Sequence, residues 1–505
     1  MTTQNTQKEI TATQTIESTI EEPKNAAPHP STLQADLAGT FGIHDLTTFN
    51  TTDLRTMADE VKQALFLSLI PAKRHDRGGK HGAGTASFRP FSQGAVSDEF
   101  KEFYTPEELA EFDKLRGTER DIEDRMKVKI TDYYMRLAMK SQPIRNLVKA
   151  RAEETEDLSG EADPSNQNKF SPVPGALHKY EMMLFMVSST CSSHCRYCYR
   201  LDLFTQKTGK TAINPDEFHA HLDYIRKHNH WVESNRGFDP ETGKRIYPIR
   251  EALLSGGDPL ALMDKRIATF MVGLAQAGVE QVRIGTKELA FFPERVDADF
   301  FAMLDGFHKL FPRVRVVFAV HFTHPDEFLE KSDDGHYVKV NSRYVWMETV
   351  RNAVEGLTSR GNFISLENQT PIIADVNDDA KALHILQREL YSKGIGNHYL
   401  FQCREIEGHR LFAVPVETAW RIYTESQRGL SGVEKQARYT MSTEYGKMEV
   451  IGVTNGTIIL KVLRAPSGGD ILGNIIVARS NPDALWISGY MDRIISDDTG
   501  FLLTK

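Results

Sequence analysis

Cysteine is scarce in this chain, with four in 505 residues, too few for a disulfide framework in a protein of this size. Long apolar runs are missing as well. Stretches such as "MMLFMV" and "TIILKVL" fall far short of the ~20 residues that cross a bilayer, so no membrane span is expected. Basic residues are in deficit: 61 Lys and Arg stand against 69 Asp and Glu, for a formal charge of -8, which argues against the basic face of a nucleic-acid binder. The opening "MTTQNTQKEITATQTIESTIEEP" has neither the basic start nor the apolar stretch of a secretory signal, and residues 1–50 read as a disordered polar tail. These exclusions leave a cytoplasmic chain with room for more than one structural unit and a function in small-molecule chemistry.

What is present falls into three blocks. Residues 51–180 are rich in Glu, Lys, Arg, Leu and Ala with apolar residues at helical spacing, as in "TDLRTMADEVKQALFLSLI" and "ITDYYMRLAMKSQPIRNLVKARAEE", which predicts a helical N-terminal region. The Gly-rich, basic "KRHDRGGKHGAGTASFRPFSQG" interrupts it as a loop, and "DPSNQNKFSPVPGALHKY" closes it with turn chemistry. Over 181–405, "MMLFMVSS", "EALLSGG", "QVRIGTK", "VRVVFAVHF", "FISLENQ" and "HYLFQC" read as buried strands. Helical patterns such as "KRIATFMVGLAQAG", "DADFFAMLDGFHKLF" and Trp346 to Val354 lie between them. Six β-then-α units predict an α/β fold, a partial (β/α)6 barrel of the TIM type rather than a closed barrel of eight. The first crossover is long and carries "GFDPETGKRIYPI" as an inserted loop. Residues 406–505 form a small α+β C-terminal region. It has a helix around "PVETAWRIYTESQRG" and a strand pair, "KMEVIGVTNGTIILKVLR", turned at Asn455-Gly456.

Three of the cysteines, Cys191, Cys195 and Cys198, crowd into "VSSTCSSHCRYCYR" directly after the first of these strands, at the end where barrel enzymes place their chemistry. A four-iron cluster held by cysteine alone takes four thiolates. A C-x3-C-x2-C loop supplies three and leaves one iron open to an exogenous ligand. The competing readings are a zinc site completed by His194 or a remote residue, although zinc favours paired C-x2-C spacings, or three unrelated buried thiols.

The loop resembles the cluster loop of radical S-adenosylmethionine enzymes, in which the open iron chelates the cofactor and injects an electron to make a 5'-deoxyadenosyl radical. Beyond it, "SPVPGALHKY", "CSSHCRYCYR", "ALLSGGDPL", "VRIGTKELAFFPERV", "HFTHPDEF", "ENQTPIIADVND" and "YLFQCREIEG" stand in the order and spacing of the lysine 2,3-aminomutase family, over roughly residues 125–450. The resemblance implies an isomerase working with a [4Fe-4S] cluster, S-adenosylmethionine and pyridoxal 5'-phosphate. It further implies a small amino acid substrate, an electron donor of the flavodoxin or ferredoxin type, and a homo-oligomer.

Carried over residue by residue, the resemblance assigns Cys191, Cys195 and Cys198 to the cluster, and Ser255, Gly256, Gly257 and Asp258 to the methionine part of the cofactor. Paired glycines and a carboxylate suit that task, because exposed backbone amides and an anion together bind an amino acid's two charged ends. Pyridoxal phosphate needs a lysine to carry its aldehyde at rest. "APSGGD" at 465–470 looks like the family's Gly-rich turn but ends in Asp470, whereas counting from "RGLSG" brings "EYGKMEV" onto the position and makes Lys447 the expected lysine. Seen alone, Lys447 would read as a solvated lysine at a strand start. "HKYEMM" replaces the usual "HRYPDR", so Lys179 stands where an arginine contacts the pyridoxal ring and Met183 where another serves the cofactor. Tyr180 is retained and suited to stacking. Asn368 and Gln369 match the family's pair near the pyridoxal, and Asn377 with Asp378 keep the following loop. No cysteine follows Cys403, so the family's C-terminal structural zinc is not expected.

Arg200 matches the arginine that grips the substrate α-carboxylate, a task for its planar donor fork. Lysine-specific members hold the distal ammonium with two aspartates. Here the first position is Arg404 and the second falls near Thr440. A guanidinium within ~4 Å of a lysine ammonium costs about 4 kcal/mol at an effective dielectric of 20, enough to exclude lysine. The complementary substrate carries a second carboxylate, which points to glutamate 2,3-aminomutation with Arg200 and Arg404 at its two ends, unless Arg404 pairs with Glu405 or Glu407 instead. Two other functions compete: a pyridoxal-free radical enzyme acting on another carboxylate-bearing substrate, favoured by "HKYEMM", and a noncatalytic iron-sulfur protein.

Overall fold

The structure, a computed structural model, describes residues 46, 58–71, 85–88, 98–115, 126–161, 163, 165–201, 212–213, 217–466 and 471–500. The expected polar tail, apart from Leu46, most of the basic Gly-rich loop and the "SGGD" end of "APSGGD" lie outside them. Among the described residues no helix is long and apolar enough to cross a membrane.

The N-terminal region is mainly helical, with α1 Asp59–Leu69, α2 Pro106–Leu115, α3 Asp132–Lys140 and α4 Gln142–Val148. Helical spacing alone would run α3 and α4 together. The chain breaks at Ser141, whose extended backbone lets its hydroxyl accept from the Ile144 amide, while Pro143 occupies the first turn of α4. Residues 130 and 131, expected at the start of the helix, belong instead to Val128–Thr131, which pairs antiparallel with Thr85–Phe88.

The rest is built on one sheet in which spatial order follows chain order. Its strands are β1 Ala176–Leu177, β2 Met182–Ser188, β3 Glu251–Gly256, β4 Gln281–Thr286, β5 Arg315–Val320 and β6 Ile364–Ile372. They are followed by β7 Ile395–Gln402, β8 Arg438–Thr443, β9 Gly446–Thr454, β10 Thr457–Arg464, β11 Ile475–Arg479 and β12 Ile494–Asp497. From β2 to β8 every neighbour is parallel, and β8 to β12 continue antiparallel. The parallel crossovers carry α5 Phe218–Ser234, α6 Asp264–Gln276, α7 Ala298–Leu310, α8 Glu348–Thr358, α9 Ala380–Ser392 and α10 Val416–Ser426. The strands expected from apolar runs are all present. β1, β8, β11 and β12, short or interleaved with polar residues, gave no comparable signal.

Strands covered by helices on one face and by a cavity on the other alternate accordingly. In β6 every second residue from Ile364 is buried, and the residues between are half-buried. Phe185, Ile284, Phe318 and Leu366, on β2, β4, β5 and β6, share one continuous core with Phe300 of α7 and Tyr134 of α3. The β9–β10 hairpin turns where expected, at Asn455 and Gly456, both with positive φ (41° and 79°), the backbone a two-residue type I′ turn requires.

Candidate functional site

The loop carrying Cys191, Cys195 and Cys198 leaves the end of β2 and is fixed from the N-terminal region. The Lys129 ammonium donates to the Cys191 carbonyl at 2.6 Å, the His194 amide to the Lys129 carbonyl at 2.8 Å, and the Ser193 hydroxyl accepts from the Thr131 amide at 3.0 Å. Arg196, fully enclosed, forms a two-pronged pair with Glu154 at 3.1 and 2.6 Å and donates to the Met126 carbonyl. From the other side the Ser192 amide donates to Glu288 at 3.0 Å. This clamp explains why the ribbon strand Val128–Thr131 sits where a helix was expected.

The three cysteines are in no disulfide, are half-buried and line one cavity of about 330 Å³. Burial pushes Cys191 well above the usual thiol range and Cys195 up to about 11, so positive charge is needed to hold them as thiolates. Among the described residues no three His, Cys, Asp or Glu side chains converge on a single-ion site.

Inward-facing residues of six parallel strands complete the cavity: Leu184 of β2, Ser255 of β3, Arg283 of β4, Ala319 of β5, Gln369 of β6 and Phe401 of β7. Gly256 and Gly257 allow β3 to end against the approach to the cysteine loop. A Cβ on Gly256 (φ 113°) would strike the Ser188 carbonyl, and one on Gly257 the Thr190 carbonyl. The amides of Gly257 and Asp258 donate to those two carbonyls at 2.6 and 2.8 Å, so close approach, rather than open amides, is what the glycine pair provides. The Asp258 carboxylate accepts from Leu260 N, Lys287 N and the Thr286 hydroxyl at 2.7–3.0 Å. Burial and nearby Glu288 raise it, and these hydrogen bonds work in the opposite direction.

Lys447 enters from β9. Its Nζ stands 3.7 Å from the Tyr399 ring centre and 4.9 Å from that of Phe401, with no carboxylate or hydrogen-bond partner among the described residues. Burial, then Arg464, Arg283 and Arg404, depress its ammonium well below the usual lysine range. A lysine shifted towards its amine form is the nucleophile that an aldehyde cofactor requires, so the site fits pyridoxal phosphate. Lys179 differs. Its ammonium donates to the Ser165 and Thr443 carbonyls at 3.0 and 2.8 Å, and burial followed by Arg404 lowers it to about 8. Met183 is fully buried in the core, and its neighbours Met182 and Leu184 face the cavity with Tyr180.

Arg200 is 5% exposed, yet its Nε and Nη1 have no hydrogen-bond partner among the described residues. Glu405, beside Arg404 in the chain, accepts from the Ser488 hydroxyl at 2.6 Å. The guanidinium carbons of Arg200 and Arg404 lie 4.9 and 4.7 Å from the centre of one ring, Tyr199, and burial followed by Arg200 lowers Arg404.

The cavity therefore gathers Cys191, Cys195, Cys198, Arg200, Lys179, Tyr180, Ser255, Gly256, Gly257, Asp258, Gln369, Arg404 and Lys447. Asn368 lies off its wall: it is buried, and its amide both accepts from and donates to the backbone of Phe322 at 2.8 and 3.1 Å. Thr440 is buried away from the cavity, and Ser442, two residues on, faces it. Asn377 is a structural tie, donating to the Thr323 and Pro371 carbonyls. Sequence reasoning passed over Tyr199, Arg283, Lys287 and Arg464, which all line the cavity. A charged residue amid the apolar "QVRIGT" strand was the available signal for Arg283.

A mainly parallel α/β sheet with a three-thiol loop at its strand ends is the framework of a radical S-adenosylmethionine enzyme. The chain is 32% identical over 358 residues, 70% of its length and 84% of the other's, to an Aquifex aeolicus (strain VF5) protein provisionally named L-lysine 2,3-aminomutase. It is 27% identical over 299 residues to the L-lysine 2,3-aminomutase of Acetoanaerobium sticklandii, covering 58% of this chain and 61% of that one. With the L-lysine 2,3-aminomutase of Clostridium subterminale it shares 26% identity over 310 residues, 60% and 63% of the two chains. No protein-family profile matches. The chain belongs to the lysine 2,3-aminomutase family and is an isomerase of the aminomutase class. The family works with a [4Fe-4S] cluster, S-adenosylmethionine and pyridoxal phosphate.

Proposed function

We propose that the chain moves the α-amino group of an acidic amino acid to its β-carbon, converting glutamate to β-glutamate, in an open (β/α)6 barrel formed by β2 to β7 and their helices. The observation that carries this reading is the pair of cavity guanidiniums. Arg200 is buried without a partner among the described residues, and Arg404 shares the Tyr199 ring with it. Two cavity guanidiniums around one ring suit an anion at each, and a diacid supplies both.

Cys191, Cys195 and Cys198 would hold the cluster and Lys447 the pyridoxal phosphate. Bound there, cluster and S-adenosylmethionine supply a hydrogen-abstracting radical, and pyridoxal phosphate carries the migrating nitrogen. The protein's own contribution is to keep the Lys447 amine uncharged, orient both carboxylates and set Tyr180 beside the ring. Reduction calls for a one-electron donor of the flavodoxin or ferredoxin type.

The test is anaerobic incubation of the reduced, cluster-loaded enzyme with S-adenosylmethionine, pyridoxal phosphate and a panel of amino acids, followed by product analysis. β-Glutamate is the expected product, and conversion of lysine but not glutamate overturns the substrate reading. A pyridoxal-free reaction is the second reading, favoured by Lys179 being tied to two carbonyls and Met183 being turned into the core. It predicts S-adenosylmethionine cleavage that is indifferent to Lys447→Ala.

A further inference from the structure

We propose that Arg464 binds the phosphate of pyridoxal 5'-phosphate in this chain, replacing from the C-terminal hairpin the arginine contacts that "HKYEMM" has lost. The proposal rests on the cofactor reading above.

Pyridoxal phosphate bears its phosphate arm on the ring carbon adjacent to the one bearing the aldehyde. A lysine holding the aldehyde therefore needs its phosphate cation close beside it. Arg464 meets that condition through backbone register: it is the residue paired with Lys447 across the β9–β10 ladder, and it lines the same cavity. Its guanidinium carbon stands 4.6 Å from the centre of Tyr180, the ring suited to stacking on the pyridine. Arg464 is also the charged group that most strongly depresses the Lys447 ammonium.

Of the other cavity cations, three are tied to protein partners, and Arg200 and Arg404 are those assigned above to the substrate. Arg283 is held by Glu251 at 2.9 Å and Lys287 by the fully enclosed Glu327 at 2.6 Å. Lys179 donates to two carbonyls, and Arg200 and Arg404 flank Tyr199. Arg464 has one carboxylate, Glu181 at 2.9 Å, whose side chain is 48% exposed. An ion pair open to solvent on one side is weak and yields to a phosphate carrying up to two charges. The guanidinium fork then engages two phosphate oxygens at once.

The experiment compares pyridoxal phosphate with pyridoxal, which lacks the phosphate. Wild type, Arg464→Gln, Arg464→Lys, Glu181→Gln and Lys447→Ala are titrated with each aldehyde. The signal is the absorbance band formed when the Lys447 amine condenses with the aldehyde and releases water. Wild type is expected to prefer the phosphorylated form, and Arg464→Gln to narrow that preference by roughly 10- to 100-fold, any weakening through the lost depression of the Lys447 ammonium falling on both aldehydes alike. Arg464→Lys recovers part of it, and Glu181→Gln, which frees the guanidinium, tightens pyridoxal phosphate alone. An Arg464→Gln protein with the wild-type preference, or one weakened equally towards both aldehydes, overturns the phosphate role. If wild type forms no Lys447-dependent band with either aldehyde, the cofactor reading itself fails.

Discussion

Replacing Arg404 tests the substrate reading most directly, because its consequences for catalysis and for stability run in opposite directions. Arg404 and Arg200 each lie less than 5 Å from the centre of Tyr199, at 4.7 and 4.9 Å, so the two guanidinium carbons are less than about 10 Å apart. Hydrogen bonds to a charged partner are worth about 1.5–3 kcal/mol, so Arg404→Gln should lower kcat/KM for glutamate by roughly 10- to 150-fold. Charge reversal goes further: at ~4 Å and an effective dielectric of 20, Arg404→Asp exchanges an attraction of about 4 kcal/mol for a repulsion of similar size, and gains as much towards a distal ammonium. Glutamate turnover should vanish, and binding of lysine should rise. The substrate-free protein should meanwhile gain stability from Arg404→Gln, since the change relieves a cation facing Arg200, and the rise in Tm expected of wild type with glutamate should be lost. The assays are anaerobic product analysis and thermal melts with and without amino acid. Glutamate kcat/KM within threefold of wild type in Arg404→Gln, or an equal loss for a monocarboxylic amino acid, would refute the reasoning.

Single Cys→Ala changes at 191, 195 or 198 should each abolish iron and sulfide binding, whereas Cys403→Ala keeps both, as metal analysis of the reconstituted variants will show. Glu154→Gln strands the enclosed Arg196 guanidinium, costing about 3–5 kcal/mol, and should lower Tm and cluster content together. Gly256→Ala forces a Cβ into the Ser188 carbonyl at a φ of 113°, and should lower Tm while weakening S-adenosylmethionine binding in equilibrium dialysis. With the Lys447 ammonium depressed in the folded state, the unfolded chain holds more protons below 10.5. Stability should therefore climb as pH rises towards that value, and Lys447→Met should flatten the climb in urea midpoints measured across pH.

The parallel strands and their helices were legible because a strand covered on both faces is rich in apolar residues, as "MMLFMVS" and "RVVFAV" are. β8 was not, since "RYTMST" mixes polar and apolar residues and gains its place from pairing with β7 and β9. In the site, the cysteine loop stood out by local spacing, whereas Arg200 and Lys447 were reached only through the family resemblance, and the structure sets all of them on one cavity. Asn368 matched the family pattern, but the structure commits its amide to the Phe322 backbone. The Arg196–Glu154 clamp joins residues 42 apart, a distance no local pattern spans. Arg464 stayed hidden for a similar reason: only the register of the β9–β10 ladder sets it opposite Lys447.

The electrostatics of the cavity join these features. Seven of its lining residues are lysine or arginine, Lys179, Arg200, Arg283, Lys287, Arg404, Lys447 and Arg464, against one carboxylate, Asp258. Three of those cations have carboxylates at 2.6–2.9 Å, and Lys179 has two carbonyls. Burial, with Arg200 adding to it, lowers Arg404, and burial followed by Arg464, Arg283 and Arg404 lowers Lys447, an arrangement that costs folding free energy. Such a cost persists where a ligand removes it on binding. Two guanidiniums around one ring call for carboxylates, and an uncharged amine on aromatic faces calls for a carbonyl, so the chemistry of the missing partners is written in what the protein leaves unpaired.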